Sequence, residues 1–496
     1  MKIFSIALNM HDHNTYDGTW HNQIERFSRR KHNIPWHQHV YPHHSELTRM
    51  NITDNRYAVK FYNEYWKPEN HELFAFSNSN EGLELLRSTD IDITRQFLEF
   101  KPKNLWDYHR HKNIYYIDHH QSHAAYAFLS SEYDESDILA IDGEGWNFNC
   151  VFFDKDGNIT DLSHKMGIGI LWNYFSKKLG FGSMGAGKLM GLSAYGKYCS
   201  EFHTIINYYS NNEFNFPKFN IEDFSHEDIA YTLQYATQEL INTHVLPLKS
   251  CDNICIAGGV AYNGYVNEEF TKHYTGVHVP PAPGDEGQAL GNYMHAEYTI
   301  NKNVHIPDVY SGKEYHFDEG TPISHREVAM AIYEGKIIGW FNGKSESGNR
   351  ALGNRSILAD PRNPNIKDII NSTIKYREDF RPFAPAVLEH HYQYWFNTNQ
   401  PSPYMSRIMQ VKSDRIPGVT HVDGSSRIQT VNHKQNKDFY RVIEEFYQLT
   451  GVPMVLNTSF NCKEPMVESP KDAILTYNDT ELDMLIINGR SVSKAG

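Results

Sequence analysis

Short apolar runs that end in glycine turns and give way to helical periodicity recur along the chain. Ile138-Leu139-Ala140-Ile141 reads as a buried strand running straight into Asp142-Gly143-Glu144-Gly145. Asn253-Ile254-Cys255-Ile256-Ala257 reads as another, leading into Gly258-Gly259 and then a helix. Between them, Ile229, Leu233, Ala236 and Leu240 fall at helical spacing and mark one apolar face. This rhythm predicts an α/β protein. Two strand-to-glycine-turn units so far apart predict a duplicated fold with a nucleotide between its halves. Glycine lets the backbone approach phosphate closely, and a carboxylate at a strand end can hold a metal or a water. Around 302–325, His305, Pro307, Gly312, Gly320 and Pro322 read as a linker. A fresh pattern begins at Val328, with Ile337-Ile338-Gly339-Trp340-Phe341 as its first strong strand, and the domain boundary is placed there.

Composition narrows the class. At 496 residues the chain is too long for one ordinary core, so two or three domains are expected. A content of 40% hydrophobic and 22% charged residues is that of a soluble globular protein. No run of about eighteen apolar residues exists, so no membrane association is expected. The opening MKIFSIALNMHDHN meets charge and histidine at once and reads as a first strand, not a signal peptide. Five scattered cysteines, with no second pair beside Cys251 and Cys255 to complete a zinc site, fit a reduced, cytoplasmic enzyme. The net charge of −13 argues against a sequence-independent grip on duplex nucleic acid, while leaving room for a local basic patch.

The chemistry-bearing positions come in clusters. His119 and His123, in DHHQSHAA, share one helix face at i and i+4, the geometry with which two imidazoles hold one metal. Spacing alone leaves them equally open to being two polar helix residues without a ligand. Asp285, in PPAPGDEGQALG, stands before a helix, either as its cap or as a third ligand. Two histidines and one carboxylate would leave positions open for substrate, as at non-haem iron. Gly182 through Gly196 is dense in glycine around Lys188 without forming a Walker motif, and reads either as a flexible surface loop or as a site segment. Arg350, Arg355, Arg362, Lys375, Arg377 and Arg381 form the most cation-rich region, either a solvated face or a lined anion pocket. His421, Asp423 and Arg427, then Asn457, Ser459 and Asn461, make a second polar cluster without metal or triad spacing.

These segments together resemble a known family. IERFSRRKH, DHHQSHAA, DGEG, GKLMGLSAYGK, GGVAYNG, PGDEG, RALGNRSILADPR, REDFRPFAP, HVDGSSRIQTV and LNTSFN follow one another as in the O-carbamoyltransferases of the nodulation-factor, cephamycin and tobramycin type. The resemblance covers nearly the whole chain. It implies a duplicated actin-like (ASKHA) N-terminal domain over 1–310, related to the threonylcarbamoyl-tRNA transferases, and a YrdC-like α/β domain over 326–496. In such enzymes the C-terminal domain forms carbamoyl-adenylate from carbamoyl phosphate and ATP, with Mg2+ accompanying the nucleotide. The N-terminal domain then transfers the carbamoyl group at an Fe2+ or similar divalent site. Carried over, Arg350, Arg355, Lys375 and Arg381 match anion-binding positions, with Asn457 and Ser459 beside the nucleotide. His119, His123 and Asp285 match the metal ligands. Asp142 with Gly143, Lys188, Gly258, Gly259 and Asn263 match adenylate-binding positions, and His11 matches the histidine near the reacting group, a candidate base.

Departures from the family pattern fall in two places. Gly348-Asn349-Arg350 replaces a Gly-Pro-Arg turn, a glycine is missing at Lys463-Glu464, and Trp146 stands where a glutamate is usual; these touch fine geometry. The early stretch HDHNTYD and the abbreviated region after His32 touch acceptor entry. Relatives modify antibiotic sugars, lipo-oligosaccharide signals and, in viruses, hydroxymethylated cytosine. The acceptor-side changes, with cations and rings in KPKNLWDYHRHKN (101–113) and WHQHVYPHH (36–44), point to 5-hydroxymethylcytosine in viral DNA, placing the enzyme in a host cytoplasm. A sugar, antibiotic or nucleotide hydroxyl, which needs no basic track, is the alternative acceptor. A tRNA threonylcarbamoylation factor or a non-catalytic nucleotide-binding protein is a more distant reading. A homodimer is the expected assembly.

Overall fold

A computed structural model describes residues 2–8, 14–19, 21–23, 67–78, 97, 99–143, 147–182, 184–211 and 218–494. His11, Trp146 and the 36–44 segment lie outside the described residues. The chain divides into two compact units, Met1–Asp308 and Val309–Gly496.

The first unit is built from two sheets with one strand order. In the first sheet, β1 (Ile3–Leu8) pairs antiparallel with β2 (Asn14–Tyr16), and β2 with β3 (His21–Gln23). On its other side β1 runs parallel to β4 (Leu73–Asn78), and β4 to β6 (Ile114–Tyr116), with β5 (His109–His111) at the edge. The second sheet repeats this plan. There β7 (Asp137–Ile141) pairs antiparallel with β8 (Cys150–Phe153), which pairs with β9 (Ile159–Asp161). On the other side β7 is parallel to β10 (Asn253–Ala257), and β10 to β11 (Gly276–His278). The expected duplication is therefore present: orders β3-β2-β1-β4-β6 and β9-β8-β7-β10-β11 are the same path walked twice.

Each half then sends a helix onto the other half's sheet. Helix α1 (His119–Leu129) leaves the first sheet and packs on β7 and β10. It does so through Ala124 and Ala127, buried with Ile138, Ala140, Cys255 and Ala257. Further along come α2 (Ile168–Lys178), α3 (Ala186–Leu192) and α4 (His226–His244), the last burying Ile229, Leu233 and Ala236 as the periodicity predicts. Helix α5 (Gln288–Asn301) leaves the second sheet and packs on β1 and β4 through Ala289, Leu290, Tyr293 and Met294. Helices α1 and α5 also cross each other, closely enough that a Cβ on Gly291 would lie 2.1 Å from the Ser122 carbonyl oxygen. This double exchange brings the starts of two equivalent helices to one point.

The second unit carries a mixed eight-stranded sheet. Its order is β12 (Thr321–Pro322), β21 (Arg490–Val492), β20 (Met484–Ile487), β13 (Ile338–Phe341), β14 (Arg355–Ala359), β19 (Met454–Ser459), β15 (Ala384–Leu388), β18 (Gln429–Val431). A separate hairpin joins β16 (Ile408–Gln410) to β17 (Ser425–Arg427). Helix α6 (His325–Tyr333), opened by a Ser324/Glu327 capping box, packs against α7 (Lys437–Thr450). Phe439, Val442, Ile443 and Phe446 give α7 one apolar face on the core. The segment from Val309, read above as linker, belongs to this unit. Ser347 donates its amide to Val309 O and Gly312 donates to Ser345 O, while β12 extends the sheet.

Candidate metal centre and anion pocket

Three pieces of backbone meet at the centre of the first unit. His119 and His123 lie one turn apart at the start of α1, whose cap is Asp118. The Asp118 Oδ1 accepts the His120 amide at 2.9 Å, and its Oδ2 accepts Asn147 Nδ2 at 2.8 Å. Asp142 follows β7; its Oδ1 accepts the Gly143 amide at 2.6 Å, which leaves Oδ2 turned toward the imidazoles. Behind it, Gly258 adopts φ 91°, and a Cβ there would lie 2.1 Å from the Ile141 carbonyl, so only glycine fits. Asp285 opens the turn into α5. Asn14 of β2 clamps that turn, donating to Asp285 O and accepting the Ala289 amide, both at 2.8 Å.

The four side chains converge. His123 Nε2 is 3.0 Å from Asp142 Oδ2 and 3.4 Å from Asp285 Oδ1. His119 Nε2 is 3.5 and 3.3 Å from the same two oxygens, and 3.2 Å from His123 Nε2. All four donor atoms lie within 4.8 Å of one another. Burial pulls the His119 imidazole down, but Asp285 and Asp142 outweigh it and lift it to about 10. Burial likewise works against the Asp142 carboxylate, yet the two imidazoles hold it well below the usual range. His120, outside the ring of donors, is pushed down to about 3 by burial and its imidazole neighbours. The set is thus arranged for a positive charge at its middle. A divalent ion holding N and O donors at about 2.0–2.2 Å spaces them about 3.0–3.5 Å apart, in tetrahedral or octahedral geometry. The spacings observed here fit that requirement.

Asp142, expected among the adenylate contacts, stands with the two imidazoles and Asp285 in this donor group. Its signal was the acidic residue at a strand end. Other expected residues of this unit fall as follows. A Cβ on Gly259 would come 3.0 Å from Asp142 Oδ1, so the Gly258-Gly259 turn backs directly onto the centre. Asn263 caps the helix Gly264–Phe270 and donates to Gln234 Oε1 at 2.8 Å. Lys188 is half-buried on α3, so the glycine-rich stretch is largely helical and not a loose loop.

In the second unit, Lys375 ends a π-helical turn, Asn371–Lys375, followed by left-handed Tyr376. This irregularity turns its side chain inward. Its Nζ donates to Ser459 O, to Ser459 Oγ at 3.2 Å, and to Asn461 O and Oδ1 at 3.0 and 2.6 Å. Burial, with Arg377 and Arg381 nearby, pushes the Lys375 ammonium well below the usual lysine range. Arg377 is pushed down to about 9 by burial and Arg381. Three cations gather here, with Arg381 Nη1 3.7 Å from Glu378 Oε2.

Asn457, on the same strand face as Ser459, donates to Ala351 O at 3.0 Å and to Gln429 Oε1 at 2.9 Å, and so holds the loop that carries half-buried Arg350. Arg355 corrects an expectation. Its Nη1 donates to Asn342 O and Asn354 O at 3.0 Å, and its Nη2 to Gly343 O at 3.1 Å, while the guanidinium stacks 3.5 Å over Phe341. It frames the loop instead of reaching outward. Arg362 forms a fork with Asp360, and Asp423 caps the turn at Ser425, both local roles.

Two clusters of opposite character, four metal-type donors in the first unit and a group of cations in the second, are set in a mixed α/β fold. Comparison with known proteins gives the class. The model described as Carbamoyltransferase N-terminus matches residues 93–294, and that described as Carbamoyltransferase C-terminus matches 329–494. An uncharacterized protein of Synechocystis sp. is 30% identical over 470 residues, covering 77% of this chain and 76% of its own length. Nodulation protein NolO of Bradyrhizobium diazoefficiens is 31% identical over 432 residues, covering 76% and 79%. The 3'-hydroxymethylcephem-O-carbamoyltransferase of Streptomyces clavuligerus is 35% identical over 218 residues, covering 42% of each chain. The chain belongs to the O-carbamoyltransferase family and is an enzyme of that class.

Two measurements check these sites. His123→Ala and Asp142→Asn should each weaken Fe2+ or Zn2+ binding more than about tenfold, read as bound metal after gel filtration. Wild-type metal retention by Asp142→Asn would remove Asp142 from the ligand set. At Lys375, a bound anion raises a lowered ammonium pKa, so phosphate binding should take up protons between the free and bound values. Calorimetry in buffers of different ionisation enthalpy reads this; proton release, or none, would contradict it.

Proposed function

We propose that this chain is an ATP-dependent O-carbamoyltransferase working in two steps, with 5-hydroxymethylcytosine in viral DNA as its acceptor. The observation that carries the reading is the presence, in one carbamoyltransferase chain, of both the Lys375–Arg377–Arg381 cluster and the His119–His123–Asp142–Asp285 cluster.

In the first step, carbamoyl phosphate and water give carbamate and inorganic phosphate. Carbamate then attacks the α-phosphorus of Mg2+-bound ATP, forming carbamoyl-adenylate and expelling pyrophosphate. This falls to the C-terminal domain (326–496), of YrdC-like type, where Lys375, Arg381 and Arg350 meet the phosphate oxygens as point charge and forks. Asn457 and Ser459 lie beside the nucleotide, Ser459 also accepting from Lys375 Nζ.

In the second step, the acceptor hydroxyl attacks the carbamoyl carbon and AMP leaves. This falls to the N-terminal domain (1–310). Gly143, Gly258 and Gly259 admit the adenylate backbone, with Lys188 and Asn263 as its further contacts, and His11 takes the acceptor proton. His119, His123, Asp142 and Asp285 would hold a divalent ion, Fe2+ by preference, which when bound supplies Lewis-acid polarisation of the carbamoyl oxygen.

Support for the acceptor comes from two directions. The cephem relative is named for carbamoylating a hydroxymethyl group. Lys101, Lys103, Tyr108, Arg110 and Lys112 are exposed along the segment that ends in edge strand β5, offering charge and a ring to a strand. The net charge of −13 favours a second reading, a free hydroxymethyl nucleotide or a sugar hydroxyl.

The test is incubation with ATP, carbamoyl phosphate and either hydroxymethylcytosine DNA or free hydroxymethyl-dCMP, followed by nucleoside mass spectrometry and pyrophosphate assay. A carbamoyl adduct on DNA is expected. An adduct on the free nucleotide alone moves the acceptor to the second reading, and absence of carbamoyl phosphate-dependent pyrophosphate removes the activation scheme.

A further inference from the structure

Glu346 is a fully buried carboxylate that takes no part in the chemistry above. Its Oε1 accepts three backbone amides: Leu352 at 2.7 Å, Asn354 at 2.9 Å and Arg355 at 3.1 Å. One oxygen therefore closes residues 346–355 into a ring, with Gly348 (φ 89°) and Gly353 (φ 107°) supplying the left-handed corners. The flanking carbonyls are gathered by the Arg355 guanidinium, which takes those of Asn342, Gly343 and Asn354. A buried anion holds the loop's N–H groups and a buried cation holds the carbonyls around it. Within 346–355 every residue is buried except exposed Asn349 and half-buried Arg350, so the ring presents Arg350 at its crown.

The crown is fastened to the anion pocket through one strand. Asn457 binds Ala351 O, beside Arg350, and Ser459 binds Lys375 Nζ. Asn457 and Ser459 are two residues apart on the same face of β19, a separation of about 7 Å. The Ala351 carbonyl that follows Arg350 and the Lys375 ammonium are thereby tied to adjacent positions on one strand face.

We propose that Glu346 is a positioning residue, which holds Arg350 in register with Lys375 so that both engage one phosphate-type anion. This rests on reading the cation cluster as an anion pocket. Because Glu346 acts through Arg350, its removal should cost no more than the loss of Arg350 itself.

The experiment is a double-mutant cycle on the full chain, with inorganic phosphate and carbamoyl phosphate titrated calorimetrically. Glu346→Ala and Arg350→Ala should each weaken binding about tenfold, the loss of one charge-assisted contact. The double variant should be no weaker than Arg350→Ala. Glu346→Gln, whose amide oxygen still accepts the three N–H groups, should bind within about threefold of wild type. Should Glu346→Ala not fold, Glu346→Asp, with its oxygen drawn back by one methylene, carries the same cycle. Losses that multiply in the double variant, wild-type binding by Glu346→Ala, or Glu346→Gln as weak as Glu346→Ala would each overturn the proposal. A wild-type protein that binds neither anion removes the pocket itself, and the proposal with it.

Discussion

Two partly buried carboxylates set against the same pair of buried imidazoles require positive charge between them, and the first unit is organised around meeting that requirement. Asp142 and Asp285 both point at His119 and His123. The two carboxylates favour the charged form of the imidazoles, which is why His119 is lifted so far. A divalent ion would supply it more fully, because one ion can take a donor atom from each of the four side chains. The duplicated sheets, the crossing of α1 and α5 and the strand-end turn after β7 exist in the arrangement needed to deliver these four groups to one place.

The second unit states the same constraint with the sign reversed. Lys375 ends a π-helical turn with Arg377 and Arg381 just beyond it, and burial together with these two arginines lowers its protonation. A buried ammonium such as that of Lys375 is costly unless a negative charge compensates it, and Glu378 lies at Arg381. The two units therefore hold opposite electrostatic deficits. A reaction that brings phosphate oxygens to one and an electrophilic carbonyl to the other uses each deficit to bind and orient its partner.

Much of this was legible from the chain. The i, i+4 spacing of His119 and His123 fixes a shared helix face, and strand-to-glycine turns announce the duplication. What spacing cannot convey is convergence from distant segments. That Asp142 joins His119, His123 and Asp285 was not legible, because these residues come from separate segments of the chain. Arg355 looked like an anion binder because residue type does not reveal burial, and a fully buried guanidinium surrounded by carbonyls frames a loop. Residues 309–325 carried the Gly/Pro signature of a linker, yet their backbone amides and carbonyls pair within the second unit. Glu346 gave no sequence signal beyond preceding an arginine-bearing glycine loop.

The central claim is that the two clusters serve successive halves of one transfer. The most direct measurement supplies preformed, labelled carbamoyl-adenylate and acceptor to a Lys375→Met variant and to a His123→Ala variant in single-turnover experiments. Lys375→Met should transfer the label at the wild-type rate and His123→Ala should transfer none. Transfer by His123→Ala, or an equal loss in both variants, would contradict it.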